Sequence, residues 1–376
     1  MRIVFRAHPE LGHLYPLMPL AEAARAAGHE VVFPTTAPFV DRLGALGFGV
    51  VEAGTSLGEA RARSSGDRRL VVDGGTDWRG IGEFFAIAAL AAARDLARVL
   101  PEIDADLVVH DHTDLGAGAA AVALGVPSVA VAVARSFAPE IHDAILGPSI
   151  DALRERFGTA PPVDRPVVDT YPPSLQRYEF LDDVRRVPMR AVPWSEPWPA
   201  VPPWTRLPGR RLVFATVGSV TDSVEHLQPV LDGLATVDAD VVVATGIADP
   251  DGLARVPANV HVAGLVRLAA LLPHLDTVVH HGGCGTTTAA WAHAVPQVVM
   301  PDGADRFVNA AAVVASGAGV ALDAPAPDEV ATSVREVLGD PSFARAARAV
   351  RAEMDAMPHP TRVLAALTDV RDRVRS

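Results

Sequence analysis

The segment from Val278 to Ala310 decides the fold of this chain and reads VVHHGGCGTTTAAWAHAVPQVVMPDGADRFVNA. An apolar run ends at Val279, and the glycine-rich stretch Gly282–Gly285 follows it. Thr286–Ala294 has a helical pattern, and Gln297–Met300 is apolar again before a proline breaks it. This order of strand, tight turn, helix and strand predicts half of a doubly wound α/β sheet.

The glycine-rich turn predicts a phosphate site. Glycine permits a positive φ and a close approach of the backbone to a ligand. The helix expected from about Gly285 presents unpaired N–H groups and the positive end of its dipole. Thr286, Thr287 and Thr288 can add hydroxyl donors. Cys284 lies inside the turn, either as a reactive thiol or as a small residue that fills a tight space.

Two groups of motifs resemble those of a known enzyme family. HHGGCGT (280–286), AVPQVVMP (294–301) and ADRFVNA (304–310) resemble the donor-binding signature of inverting family 1 nucleotide-sugar glycosyltransferases of the GT-B fold. GHLYPLMPLAEAARAAGHEVVF (12–33) resembles the N-terminal pattern of that family. The similarity is to actinobacterial enzymes that decorate macrolides, enediynes and aromatic polyketides. It implies two Rossmann-like, doubly wound parallel-sheet domains that face each other across a cleft.

A length of 376 residues predicts two domains. Residues 188–208 contain seven prolines and three tryptophans, which indicates an extended linker. We expect an acceptor-binding domain over residues 1–205 and a nucleotide-sugar-binding domain over 209–357. The resemblance implies that a last helix, within 358–376, crosses back onto the first domain. Residues 55–80 lack a clear period and are expected to form a loop near the acceptor.

The composition excludes several partners. The formal net charge is −12, which argues against nucleic acid as a binding partner. Because the surface is not basic, local backbone dipoles and a few side chains must hold a diphosphate. No apolar run reaches the roughly 18 residues that span a membrane. The single cysteine and an N-terminus unlike a signal peptide predict a cytoplasmic protein. The sequence is compatible with a homodimer.

The resemblance implies that His13 is the catalytic base. His13 follows the first predicted strand, Arg2–Ala7, in the segment His8–His13, which is expected to be a loop. Ligands of open α/β sheets bind at the carboxyl ends of the strands. Without the flanking motif, His13 would be interpreted as an ordinary loop or helix-capping histidine.

Asp111 stands at the carboxyl end of another predicted strand, where the family has an aspartate that orients the base. The alternative is a cap for the following helix, for which Asp114 is better placed. His110 and His112 are expected to point to the other side of the chain from Asp111. No further ligands at zinc-like spacing are visible, so a metal is not predicted.

The resemblance also implies a donor site in the second half of the chain. Its members would contact the phosphates, the base or the sugar, and they are Gly218, Ser219, Leu265, Val266, His281, Gly283, Gly285, Thr286, Asp305 and Arg306. Of these, Gly218 and Ser219 would contact phosphate, as would His281, Gly285 and Thr286. Asp305 would accept hydrogen bonds from sugar hydroxyls.

Two of these positions depart from the family pattern. Many relatives stack an aromatic residue on the base where this chain has Leu265, which leaves an apolar contact and the main chain of Val266. Most relatives have glutamine where this chain has Arg306, and a guanidinium only donates hydrogen bonds. Either the sugar differs from glucose, or Arg306 pairs with Asp305.

The resemblance implies a metal-independent transfer of a deoxysugar or sugar from a dTDP- or UDP-sugar to a hydroxyl of a hydrophobic aglycone, with no other cofactor. The DxD motifs Asp104–Asp106 and Asp238–Asp240 precede strands, at the edge away from the expected site. One alternative is a non-catalytic protein that binds the nucleotide sugar or assists another transferase. A nicotinamide-dependent oxidoreductase would need GxGxxG after the first strand, which His8–His13 does not provide.

Overall fold

The computed structural model describes the chain except for residues 65–70, 73–74, 162–165, 177–185, 197–208, 219–223, 225–226 and 376, and the side chains of residues 71, 72, 75 and 369–375. The chain divides into two compact units. Unit 1 comprises Met1–Tyr171, Gln176–Arg190 and Met357–Ser376, and unit 2 comprises Pro172–Leu175 and Ala191–Ala356. Most of the expected linker, residues 197–208, lies outside the described residues, as does Ser219.

Unit 1 alternates strands and helices along most of its length. Its elements are β1 (Arg2–Arg6), α1 (Leu11–Leu14), α2 (Met18–Ala26), β2 (Glu30–Thr35), α3 (Ala37–Ala45), β3 (Gly49–Glu52), α4 (Leu57–Arg63), β4 (Val71–Val72), β5 (Gly75–Thr76), α5 (Trp78–Ile103), β6 (Leu107–Asp111), α6 (Leu115–Ala123), β7 (Ser128–Val131), α7 (Pro139–Phe157), β8 (Val167–Asp169) and β9 (Arg186–Pro188). Seven of its strands form one parallel sheet in the order β3-β2-β1-β6-β7-β8-β9, and β4 pairs with β5 separately. The strand order reverses between β1 and β6, where doubly wound sheets bind ligands.

Two glycines set how closely the helices of unit 1 pack. A Cβ on Gly82 of α5 would lie 2.2 Å from the Ala144 carbonyl oxygen of α7. A Cβ on Gly116 of α6 would lie 2.1 Å from the Ala89 carbonyl oxygen of α5. The backbones therefore approach at distances that a side chain forbids, and α5 is held between the other two helices.

Two segments expected to be loops contain helices. Leu11–Leu14, in and just after the segment His8–His13, forms the single turn α1, which is too short to show a hydrophobic period. Within 55–80, α4 begins at a capping box in which Ser56 and Glu59 satisfy each other's backbone N–H groups. The S-x-x-E pattern was a sequence signal for this second helix.

Unit 2 has the same alternation around a six-stranded parallel sheet. Its elements are β10 (Leu212–Thr216), α8 (Leu227–Leu234), β11 (Asp240–Ala244), β12 (Val260–Ala263), α9 (Leu268–Leu271), β13 (Thr277–His280), α10 (Cys284–Ala292), β14 (Gln297–Val299), α11 (Arg306–Ser316), β15 (Gly319–Ala321), α12 (Pro327–Gly339) and α13 (Pro341–Ala356), with short 3-10 turns at Pro173–Leu175, Pro250–Gly252 and Leu272–His274. The strand order is β12-β11-β10-β13-β14-β15, and every neighbouring pair is parallel. It reverses between β10 and β13, so the glycine-rich turn after β13 lies at the switch point.

The last helix, α14 (Pro360–Arg375), belongs to unit 1. It packs on α2 and buries Val363, Leu364 and Leu367. Within the described residues, no helix combines the length and apolar character needed to cross a membrane.

Candidate active site

The adjacency of β1 and β6 brings His13 and Asp111 together. The two strands are parallel, with Arg6 opposite His110, so their carboxyl ends meet at one edge of the sheet. His13 Nδ1 lies 2.6 Å from Asp111 Oδ2, although the residues are 98 positions apart in the chain. The Asp111 side chain is fully buried, and the His13 side chain is 20% exposed. Asp111 thus holds His13 from its buried side, while a fifth of the His13 side chain stays exposed.

Asp111 is an ionised acceptor. Its other oxygen, Oδ1, accepts hydrogen bonds from the Thr113 N–H and from Thr113 Oγ1, each at 2.8 Å. Burial alone would raise the pKa of Asp111, but the charge and hydrogen bond of His13 outweigh burial and hold that pKa well below its ordinary range. An ionised carboxylate only accepts hydrogen bonds, so His13 Nδ1 carries the proton. The proton-accepting lone pair of His13 is then on Nε2.

Thr113 holds the Asp111 side chain and was not predicted from the sequence. The signal was the spacing Asp-x-Thr after a strand, where a carboxylate commonly accepts bonds from the residue two positions on. Asp114 is the cap of α6, as expected, and accepts from the Ala117 N–H at 3.2 Å. Its second oxygen lies 2.9 Å from Nε of the buried Arg6.

The expectation for the histidines beside Asp111 was wrong in part. The buried His110 ring turns to the Asp111 carbonyl oxygen, at 2.7 Å from Nδ1. His112, however, places Nδ1 3.6 Å from Asp111 Oδ1 and accepts the Val133 N–H at 3.3 Å. Because β6 ends at Asp111, the alternation of a strand no longer applies to His112. Among the described residues, no group of three or more His, Cys, Asp or Glu side chains is arranged to hold a metal ion.

In unit 2, two glycines enclose the ring of His281. A Cβ on Gly218, which has a φ of +100°, would lie 2.8 Å from His281 Cε1. A Cβ on Gly283 would lie 2.6 Å from His281 Nε2. Both positions must lack a side chain for the imidazole to occupy this place. Gly283 is also the cap of α10, which begins at Cys284, one residue earlier than expected.

His281 is neutral in this setting. Burial lowers its pKa well below the ordinary value, and the positive charge of Arg306 lowers it further. A hydrogen bond with the Thr216 backbone acts in the opposite direction but is weaker. A neutral imidazole has one N–H donor, so an anionic ligand would take the donor that the Thr216 carbonyl otherwise accepts.

His280 has a structural role instead. Its Nδ1 accepts the Gly282 N–H at 3.1 Å, so its Nε2 donates to Gln297 Oε1 at 2.9 Å. Burial lowers the pKa of His280 to about 4, despite the opposing effect of the Gln297 hydrogen bond. The neutral ring therefore ties the glycine turn to β14.

Only one of the three threonines keeps its hydroxyl available in the way the sequence suggested. Thr287 Oγ1 donates to the Gly283 carbonyl at 3.0 Å, and Thr288 Oγ1 donates to the Cys284 carbonyl at 2.9 Å. Within the described residues, Thr286 alone of the three has no such bond back to its helix. Gly285 has no atom within 4 Å of the position a Cβ would take.

The structure gives Arg306 a partner that the sequence did not suggest. Arg306 pairs with Asp302, four positions earlier in the chain. The Asn309 amide donates to Asp305 Oδ2 and to the Gly282 carbonyl oxygen, each at 2.8 Å. Asn309 thus links the acidic residue to the glycine turn. The i, i+4 spacing of Asp305 and Asn309 in the sequence was a signal for this contact.

The segment after β12 is only partly open to a ligand. The Val266 carbonyl accepts the Leu268 N–H at 2.9 Å, and the Val266 side chain packs against the core of unit 2. The main-chain N–H of Val266, rather than its carbonyl, is thus the group that could hydrogen-bond the base of a nucleotide. Leu265 is half-buried.

Comparison with known proteins identifies the family of this chain. Residues 228–370 match the family described as "Erythromycin biosynthesis protein CIII-like, C-terminal domain". The elloramycin glycosyltransferase ElmGT of Streptomyces olivaceus is 32% identical to this chain and covers 98% of it and 97% of its own length. The chain belongs to the GT-B glycosyltransferases of antibiotic biosynthesis.

Solved structures of other glycosyltransferases resemble the whole chain. The crystal structure of SnogD from Streptomyces nogalater has a TM-score of 0.80 and 29% identity, and covers 99% of both chains. SsfS6 of Streptomyces sp. SF2575, complexed with thymidine diphosphate, has a TM-score of 0.83 and 26% identity, with 98% of this chain and 99% of that chain covered. The predicted fold is confirmed.

The enclosure of His281 leads to a prediction for the glycosyltransferase. Gly283→Ala places a methyl group on the His281 ring and should displace it, whereas Gly339→Ala adds the same methyl group where nothing lies within 4 Å. A lost hydrogen bond to a charged group weakens binding about tenfold to a hundredfold. Calorimetry should show that loss of dTDP affinity in Gly283→Ala and none in Gly339→Ala. Unchanged affinity in both variants would contradict the enclosure.

The low pKa of His280 makes stability depend on pH. The folded state favours the neutral ring, so its stabilising effect is complete above the unfolded pKa of about 6.5 and decreases as the pH falls toward about 4. The loss should reach about 3 kcal/mol. His280→Asn keeps an acceptor for the Gly282 N–H but does not titrate, so urea unfolding should show a weaker pH dependence between pH 7 and 4.5 than wild type. Identical pH dependence in the two proteins would count against this assignment.

Proposed function

We propose that this glycosyltransferase works by inversion and moves a sugar, with a deoxysugar as the preferred class, from a dTDP donor to a hydroxyl of a hydrophobic natural-product aglycone. The observation that carries the proposal is the 2.6 Å hydrogen bond between His13 Nδ1 and the buried, ionised Asp111. The thymidine diphosphate bound to the related SsfS6 supports dTDP as the carrier. ElmGT, named for elloramycin, supports an antibiotic aglycone.

His13 is the general base of the proposed reaction. Its Nε2 accepts the proton of the acceptor hydroxyl while that oxygen forms a bond to the anomeric carbon of the donor sugar. The bond from the anomeric carbon to the diphosphate breaks in the same displacement, which inverts the configuration. Asp111 stabilises the imidazolium that results, so the dyad contributes roughly 10²–10⁴ to the rate.

The glycine-rich turn receives the leaving diphosphate. The backbone N–H groups of Gly285 and Thr286 lie in the first turn of α10, where amides lack partners inside the helix and the dipole favours an anion. The neutral His281, enclosed by Gly218 and Gly283, adds one N–H donor. These groups supply the charge stabilisation for which other transferases use a cation, so we propose a metal-independent reaction.

The remaining donor contacts follow from the same unit. The N–H of Val266 and the half-buried Leu265 side chain contact the base. Asp305 accepts hydrogen bonds from the sugar, in an orientation fixed by Asn309. The guanidinium of Arg306 pairs with Asp302, so it has fewer hydrogen-bonding groups for the sugar than a glutamine would have. A sugar with fewer hydroxyls fits such a site.

The acceptor side of unit 1 is aromatic. Trp78 begins α5 and packs edge-to-face on Phe137, with ring centroids 5.1 Å apart and both side chains partly exposed. Phe85, seven residues further along α5 and hence about 10 Å from Trp78, contacts the His13 ring. A flat or largely apolar aglycone can rest on Trp78 and Phe137 with its hydroxyl at His13.

Removal of the base tests the proposal. His13→Ala should lower kcat about 10²–10⁴-fold with little change in dTDP affinity. Asp111→Asn should lower kcat on a similar scale, because an amide N–H facing Nδ1 forces the proton onto Nε2. His29→Ala, a partly exposed histidine before β2, is the matched control and should retain full turnover. Near-normal turnover in His13→Ala would contradict the assignment.

The phosphate site has a separate test. His281→Ala should weaken dTDP about tenfold to a hundredfold and thymidine hardly at all, since only dTDP has the phosphates. Activity should also survive EDTA. Equal losses for dTDP and thymidine would place His281 at the base or in a structural role. Activity lost in EDTA and restored by magnesium would overturn the metal-free reaction.

A further inference from the structure

His8 is a fully buried histidine, and neither of its ring nitrogens has a hydrogen-bond partner among the described residues. It follows β1 at the same edge of the sheet as the dyad. Buried polar groups are nearly always paired, so such a residue requires an explanation. Nothing in the proposed chemistry uses it, and its cost in stability indicates that the ring serves a purpose other than folding.

The surroundings of His8 are aromatic on the side of the dyad. Its ring stacks on Phe85 of α5, with centroids 5.1 Å apart and planes at 23°. Its ring also meets His13 at 5.3 Å and 88°, and Phe85 meets His13 at 6.2 Å and 75°. The His13 ring therefore stands nearly perpendicular to two rings that are almost parallel to each other.

We propose that His8 is a positioning residue for the base: its ring, stacked on Phe85, holds the His13 imidazole in the plane that keeps Nδ1 on Asp111 and Nε2 directed to the acceptor. This inference rests on the proposed role of His13. The hydrogen bond at Nδ1 fixes one atom of the ring, whereas rotation about its Cβ–Cγ bond has broad minima. Edge-to-face contacts with two rings remove this freedom.

The neutral charge state of His8 is consistent with a role that depends on contacts of its ring. Burial lowers the pKa of His8, and the positive charges of His13 and Arg6 lower it further, against the opposing effects of Asp114 and Asp111. A neutral ring can remain in contact with His13 when His13 takes up a proton. A protonated His8 would repel that imidazolium.

Two substitutions separate the ring from its nitrogens. His8→Ala removes the ring and should lower kcat about tenfold to a hundredfold, because small displacements of a catalytic group have effects of this size. KM for the donor and dTDP affinity should stay within about threefold. His8→Phe restores a flat ring without nitrogens, so its kcat should return to within about threefold of wild type.

A matched control accounts for lost packing. Phe48→Ala deletes a buried ring of unit 1 that packs on Phe33 and lies away from the dyad. It should lower Tm by about as much as His8→Ala and leave kcat unchanged. The downfield ¹H NMR signal of the His13 Nδ1–H should broaden or disappear in His8→Ala and persist in His8→Phe and Phe48→Ala.

The kcat values of the His8 variants decide the proposal. Wild-type kcat in His8→Ala, or a His8→Phe variant as slow as His8→Ala, would overturn the proposal. If His8→Ala does not fold, Phe85→Leu takes its place and should lower kcat in a folded protein. A fully active His13→Ala would defeat the proposed base itself, whereas an inactive His13→Ala beside fully active His8 variants would defeat only the role of His8.

Discussion

The hydrogen bond between His13 and Asp111 is the interaction on which the proposed chemistry of unit 1 depends. It exists because β1 and β6 are neighbouring parallel strands whose carboxyl ends meet, although the chain between them contains most of the elements of the unit. A buried carboxylate is costly unless it is paired and hydrogen-bonded. Asp111 meets that condition through His13 and Thr113, so the groups that stabilise the charge also fix the direction of the base.

Histidine has four different roles here, set by its surroundings. His13 faces an ionised aspartate and can take up a proton. His281, enclosed by glycines, stays neutral and is the proposed donor to the diphosphate. His280 accepts and donates within the core, and His8 contributes only a ring. Burial keeps the last three neutral, and in the proposed reaction proton transfer and anion binding therefore belong to different histidines.

Much of the fold and of the candidate site could be predicted from the sequence, because neighbouring parallel strands place their carboxyl ends at the same edge of the sheet. That rule, together with the family resemblance, placed His13 and Asp111 at neighbouring strand ends and the glycine turn at a helix N-terminus. The helix α1 escaped prediction because one turn shows no period. The partner of Arg306 escaped it because one aspartate, Asp302, lies four positions before Arg306 and another, Asp305, lies directly before it, and packing decides between them. The enclosure of His281 by Gly218 depends on distant strands meeting, which no local pattern encodes.

The tautomer of His13 tests the account most directly. Long-range ¹H–¹⁵N correlation spectra at neutral pH distinguish a protonated ring nitrogen from a bare one. The hydrogen bond to an ionised Asp111 requires the proton on Nδ1 and a bare Nε2, and Asp111→Asn should reverse that assignment. A wild-type spectrum with the proton on Nε2 would contradict the account, since that nitrogen could not then accept the proton of an acceptor hydroxyl.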